Sequence, residues 1–139
     1  MTIRQSNPPA APPSGPARRV LVIDDDLDMQ RLLSQAIRSN GCEPACFIDG
    51  QEGLRRYPEL NPVMVCLDLM LPNLSGFEIC RRIRAAGGTM PVVAISARDL
   101  PEDEVNAMQA GFDMFISKPV RLPDVTRLLA GFLNPPAGA

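Results

Sequence analysis

The sequence of 139 residues has no histidine, and lysine occurs once among fourteen basic residues. Its four cysteines, Cys42, Cys46, Cys66 and Cys80, form no Cys-x-x-Cys pair. A zinc site of the usual cysteine and histidine type therefore has no support. We expect four reduced thiols, buried or half-buried, as in a cytosolic protein.

Long apolar runs are also missing. No stretch approaches the length of a transmembrane helix, and the N-terminus lacks the apolar core of a signal peptide. We therefore expect a cytoplasmic protein without membrane contact. Neither a P-loop nor a Gly-x-Gly-x-x-Gly motif follows the first apolar run, which disfavours a nucleotide-binding domain.

Positive charge is scarce in the central part of the chain. The formal net charge is −2, and after Arg19 eleven basic residues stand against sixteen acidic ones, a net charge of −5. This balance argues against a surface that binds nucleic acid directly. The length suits one domain, and the apolar fraction of 45% is sufficient for a core.

The domain boundaries follow from composition. Residues 1–17 contain five prolines among alanine, serine and glycine, so we expect a disordered tail. Residues 18–134 carry the apolar periodicity of a folded domain, and residues 135–139 form a short C-terminal tail.

Five short apolar runs alternate with five helical patterns, which predicts an α/β fold whose mainly parallel sheet is covered on both faces. Two of the predicted helices have distinctive features. The second begins at Gly50 and is expected to end near Tyr57. The fourth begins at Pro101 and has a thin apolar face of Val105 and Met108, with acids in its first turn.

Four of the five apolar runs end on residues that can do chemistry, and parallel strands bring such ends to one edge of the sheet. These residues are Asp24 and Asp25 after the first run, Asp68 after the third, Ser96 after the fourth and Lys118 after the fifth. The second run ends on Asp49, for which we expect only a helix cap. Asp68 considered alone could simply cap the next helix. The prediction of a functional site therefore depends on the residues at all of these strand ends together.

Three carboxylates at one edge repel each other, and a divalent cation together with an ammonium group relieves this repulsion. Mg²⁺ prefers oxygen ligands and accepts a phosphate as a further ligand. Lys118, the only lysine, supplies a compact positive charge. The edge is therefore predicted to be a Mg²⁺ site for phosphoryl chemistry, with a carboxylate that can act as nucleophile.

The chain resembles the receiver domain of two-component response regulators from about residue 19 to residue 133. The matching segments are Val20 to Asp26, Asp68 to Pro72 with Gly76, Ile95 to Arg98, and Gly111 to Pro119. The resemblance implies a flavodoxin-like (βα)5 sandwich with strand order 2-1-3-4-5. No output module follows the last predicted helix in this sequence, so we expect a stand-alone receiver or a fragment of a longer protein.

The resemblance also implies roles for individual residues. Asp68 accepts a phosphoryl group from a phosphohistidine of a sensor histidine kinase or a phosphotransfer protein. Mg²⁺ is held by Asp25, Asp68 and the Met70 carbonyl, with Asp24 acting through a water. The phosphoryl oxygens are bound by Ser96, the Ala97 backbone N–H and Lys118, and the Lys118–Pro119 bond is cis.

Switching in this family couples the hydroxyl residue to an aromatic side chain on the fifth strand, which here means Ser96 and Phe115. Many members have tyrosine at the second position. Phenylalanine has no hydroxyl, so we expect a switch based on packing. Met70 and Arg98 are expected to flank the site and to tune the lifetime of the acyl phosphate.

We expect a phosphoryl acceptor rather than an enzyme, whose output is a protein-binding surface on helix 4, strand 5 and helix 5. Its partners are then the phosphodonor and a downstream protein, and a homodimer is compatible with the sequence. Two alternatives stay open. One is a scaffold independent of phosphorylation, and the other is a small Mg²⁺-dependent phosphatase with Asp24 as nucleophile.

Overall fold

The computed structural model of the chain describes residues 18–134. The two predicted tails, residues 1–17 and 135–139, lie outside the described residues. Within the described part, no helix is long and apolar enough to cross a membrane.

The described residues form a three-layer α/β sandwich in which helices cover both faces of a five-stranded parallel sheet. The sheet order is β2-β1-β3-β4-β5, as the resemblance implies. The strands are β1 (Arg19–Ile23), β2 (Glu43–Phe47), β3 (Met64–Asp68), β4 (Val92–Ser96) and β5 (Met114–Ser117). The helices are α1 (Leu27–Ser39), α2 (Gly50–Leu60), α3 (Gly76–Ala85), α4 (Pro101–Ala110) and α5 (Leu122–Leu133).

The central strands are buried on both faces, so their side chains alternate between two apolar clusters. On β1, Leu21 and Ile23 pack toward α2, α3 and α4, whereas Val20 and Val22 pack toward α1 and α5. The predicted state of the cysteines is confirmed, since all four are free and three are buried. Burial raises the pKa of the Cys66 thiol to about 12, which keeps that thiol protonated.

Side-chain caps fix where three of the helices begin. Asp26 accepts hydrogen bonds from the backbone N–H groups of residues 28 and 29 at the start of α1, and Asp49 accepts one from Gln51 at the start of α2. The cap at Asp49 was predicted. Ser75 caps α3 by accepting from the Glu78 N–H at 3.2 Å. The Glu78 carboxylate pairs with Arg82 at 3.1 Å.

Two helices differ from the sequence prediction. α2 continues through Pro58 to Leu60 and ends at Asn61, whose backbone is left-handed. Proline in the last turn costs only one backbone hydrogen bond, so the helix was predicted to end too early. On α4, Val105 and Met108 are 56% and 54% exposed, and the face that packs inward is formed by Asp103, Ala107 and Ala110. The prediction of a Val105 and Met108 core face was wrong because small side chains allow closer packing on α3 and β5.

Candidate functional site

The parallel sheet brings the predicted residues to one edge. Asp68 ends β3 opposite Ile95, and Ser96 ends β4 opposite Ser117. The ladder continues beyond β5, because the Lys118 N–H donates to the Ser96 carbonyl at 2.8 Å. The Asp24 N–H likewise donates to the Phe47 carbonyl at 3.0 Å, which fixes the end of β1.

Lys118 bridges two carboxylates at this edge. Its Nζ lies 3.3 Å from Asp24 Oδ2 and 3.5 Å from Asp68 Oδ2. Burial opposes the charged form of Lys118, but attraction by Asp24 and Asp68 outweighs this effect and raises the pKa of the ammonium group. The lysine therefore stays positively charged beside the two acids, and the Lys118–Pro119 bond is cis, as expected.

Asp24 is the most buried of the three acids, with a side chain that is 1% exposed. Its Oδ1 accepts from the Asp26 N–H at 2.9 Å. Its Oδ2 lies at ion-pair distance from Lys118, yet within residues 18–134 no donor meets hydrogen-bond geometry with that atom. Burial, followed by repulsion from Asp68, raises the pKa of Asp24 to about 6, against the lowering effect of the Asp26 N–H and Lys118.

The acid cluster fits a magnesium ion. One carboxylate oxygen from each of Asp24, Asp25 and Asp68 lies within 4.8 Å of the others, and Asp25 is exposed at the rim. All three are hard oxygen donors, and the buried Asp24 oxygen without a hydrogen-bond donor leaves one group that a water on a metal would satisfy. An oxygen-only donor set with this charge suits Mg²⁺ better than a softer metal.

Asp68 is held in place by its own loop and by α3. The Met70 N–H donates to Asp68 Oδ1 at 3.0 Å, and the Gly76 N–H donates to the Leu69 carbonyl at 3.1 Å. A Cβ added to Gly76 would lie 2.4 Å from the Asp68 carbonyl oxygen. The start of α3 therefore packs directly against the backbone of Asp68, at a distance that only glycine permits.

The loop after β4 presents the predicted phosphoryl-binding groups. Ser96 is buried, Ala97 is exposed, and the Ser96 Oγ accepts from the Arg98 N–H at 3.1 Å. The Arg98 guanidinium pairs with both oxygens of Asp103, at 2.8 and 2.7 Å. Arg98, one of the two residues predicted to tune the acyl phosphate, is thus anchored on α4. Met70, the second of these residues, is half-exposed.

Phe115 is half-buried on β5, where its register partner is Ala94, the residue two before Ser96. Its ring packs against the cluster on the side of α2, α3 and α4. The neighbouring Ile116 faces the opposite cluster. The two predicted switch residues therefore lie on adjacent strands.

Two residues that support the site were missed in the sequence. Asp103 was identified only as an acid in the first turn of α4, although it is buried and paired. Gln30 donates through Nε2 to the carbonyls of Asp24, at 2.9 Å, and Phe47, at 3.0 Å, and so ties the ends of β1 and β2 together. Nothing in the sequence distinguishes Gln30 from a surface glutamine, whereas the spacing of Arg98 and Asp103 across a helix start is a detectable pattern.

Comparison with known proteins adds two findings. The family model described as the response regulator receiver domain matches residues 20–130. The DNA-binding response regulator MtrA of Mycolicibacterium paratuberculosis is 38% identical over 104 residues, which cover 75% of this chain and 46% of MtrA. The chain thus spans about half the length of the curated relatives it matches.

Solved structures show the same architecture. The beryllofluoride-activated receiver domain of DrrB, a Thermotoga maritima protein, is 26% identical with a TM-score of 0.77, over 84% of this chain and 97% of that one. The receiver domain of the Pseudomonas aeruginosa sensor kinase PA1611, which has a magnesium ion in its active site cleft, is 26% identical with a TM-score of 0.74. That match covers 85% of this chain and 98% of the PA1611 domain.

Proposed function

Because the chain belongs to the response regulator receiver family, we propose that it accepts a phosphoryl group on Asp68. The donor is a phosphohistidine on a sensor histidine kinase or a histidine phosphotransfer protein. The observation that carries this proposal is the bridge from Lys118 to Asp24 and Asp68, at 3.3 and 3.5 Å, at the carboxyl edge of the sheet.

In the proposed reaction, an oxygen of Asp68 attacks the phosphorus of the phosphohistidine. The new O–P bond forms as the P–N bond breaks, and the imidazole leaves with its electron pair. Lys118, kept charged by the two acids, offsets negative charge on the phosphoryl oxygens. The Ser96 hydroxyl and the Ala97 N–H donate to the same oxygens.

Magnesium belongs to this proposal as the cofactor. Asp25, Asp68 and the Met70 carbonyl would hold the ion, with Asp24 contacting one of its waters. When bound, Mg²⁺ supplies positive charge that offsets repulsion between the carboxylates and the phosphoryl group. Support comes from the clustered oxygens and from the magnesium ion in the PA1611 receiver domain.

The chain is proposed to be an acceptor rather than an enzyme with a separate substrate. A phosphatase with Asp24 as nucleophile is less favourable, because that carboxylate is buried and its pKa is raised. A scaffold that acts independently of phosphorylation is also less favourable, since all the polar groups that phosphoryl transfer needs lie at the carboxyl edge of the sheet.

The proposed output is a protein-binding surface on α4, β5 and α5, where Val105, Met108 and Leu128 are exposed apolar residues. The printed name of MtrA describes DNA binding by that longer protein. After Arg19 of this chain, acidic residues outnumber basic ones, and this charge balance disfavours direct binding to DNA. We therefore propose protein partners, including a second copy of the chain. A cytoplasmic location is part of the same proposal.

The test is phosphorylation by a small phosphodonor in the presence of Mg²⁺. We expect one added phosphoryl group of about 80 Da by intact mass, stable in acid and labile in base. Asp68→Asn should abolish it, whereas Asp49→Asn, which changes a helix cap on the edge strand, should leave it in place. Absence of the adduct on the unmodified protein, or its persistence in Asp68→Asn, would sink the proposal.

A further inference from the structure

We propose that Asp103 is a positioning residue for the phosphoryl-binding backbone at Ala97, and that it acts through Arg98. The inference rests on the proposed function, because it concerns the groups that bind the phosphoryl oxygens. It adds a residue in α4 to a site that is otherwise built from strand ends.

Arg98 is held at both ends. Its backbone N–H donates to the Ser96 Oγ at 3.1 Å, while its guanidinium donates to the two oxygens of Asp103 at 2.8 and 2.7 Å. A planar guanidinium that makes two parallel bonds to one carboxylate fixes direction as well as distance. The residue after Ala97 is therefore anchored to both the strand end and the helix.

Asp103 is more than a helix cap. A carboxylate in the first turn usually faces solvent, but the Asp103 side chain is only 3% exposed. It also accepts from the Leu100 N–H at 3.2 Å, so one buried acid holds both ends of the loop that leads into α4. The hydrogen bonds from Arg98 lower the pKa of Asp103 despite its burial, so it is charged at neutral pH.

Ala97 lies between two fixed residues as a result. Ser96 is fixed in the sheet, and Arg98 is fixed by Asp103. The Ala97 N–H thus keeps one direction before any anion arrives, and donors that need no reorganisation bind an anion more tightly than mobile ones. Release of Asp103 should loosen this donor without removing it.

The experiment measures the affinity of the Mg²⁺-loaded protein for beryllofluoride, a phosphoryl mimic, by titration calorimetry. We expect Asp103→Asn to weaken binding by about tenfold, the lower end of what residues that orient a binding group from behind contribute. Arg98→Lys keeps the charge but loses the paired geometry, so it should give a smaller loss in the same direction.

Asp124→Asn is the matched control. Asp124 is also the third residue of its helix and pairs with an arginine, Arg127, at 2.9 Å, but it lies on α5. Its substitution should change the affinity less than twofold. Unfolding curves establish that each variant is folded at the temperature of the titration.

Unchanged or tighter binding by both Asp103→Asn and Arg98→Lys would overturn the inference. Additive losses in Asp103→Asn, Arg98→Gln and the double variant would overturn it as well, because residues that act through one contact are not additive. Failure of the unmodified protein to bind beryllofluoride would instead refute the proposed function, so the two failures are distinguishable.

Discussion

Gly76 shows how a single residue can set the position of the proposed acceptor. It is the first residue of α3, and the space where a side chain would begin is occupied by the backbone of Asp68 and Leu69. Backbone atoms cannot move aside as the end of a flexible side chain can. The requirement is therefore one of close approach between the helix start and the end of β3.

We predict that Gly76→Ala destabilises the protein by about 1–3 kcal/mol and slows phosphorylation of Asp68 by small donors. Gly131 is the control, because it lies within α5 with nothing within 4 Å of an added Cβ. Gly131→Ala should stabilise by about 0.5–1 kcal/mol through better helix propensity. Urea unfolding and intact mass measure the two effects, and equal behaviour of the two variants would contradict the argument.

Among the elements, α4 is the one most suited to move. Its buried face consists of Asp103, Ala107 and Ala110, so it buries little apolar surface compared with α1, which buries Met29, Leu33 and Ile37. Elements with few buried apolar contacts open at low free energy. α4 also packs against β5, the strand that carries Phe115.

We predict that beryllofluoride increases the burial of Phe115 and changes the hydrogen exchange of α4, because a ring without a hydroxyl can respond only by repacking. A crystal structure of the beryllofluoride complex measures the first effect, and exchange mass spectrometry measures the second. Phe132 on α5, also half-buried, should keep its exposure in the same structure. A complex with Phe115 in its present position would count against a packing switch.

The two kinds of element were not equally predictable from sequence. Strand ends could be found because a buried parallel strand is a continuous apolar run, and the residue that follows it must lie at the edge of the sheet. Asp24, Asp68, Ser96 and Lys118 were all identified in this way. The inward face of α4 could not be found, because apolar spacing favours Val105 and Met108, whereas the fold buries alanines and a paired acid.

At the scale of the whole molecule, the buried Asp24 carboxylate of the site lowers the free energy of unfolding. The buried Asp24 carboxyl has a pKa of about 6, against 3.8 for the ordinary group, so the folded state holds its proton where the unfolded chain has lost it. This difference lowers the free energy of unfolding as pH rises from about 4 to about 6. Above that window the ionised group costs on the order of 3 kcal/mol.

We predict that Asp24→Asn removes this cost, so that without metal the variant is more stable than the unmodified protein at about pH 7 and has lost most of this advantage at about pH 4. Mg²⁺ at the proposed site should stabilise the unmodified protein by about 2.7 kcal/mol at a hundredfold excess over its dissociation constant. Urea unfolding with EDTA and with Mg²⁺ measures both effects, and Asp28→Asn on the exposed surface of α1 is the control. An advantage of Asp24→Asn that does not change with pH would mean that the buried charge is not the cause.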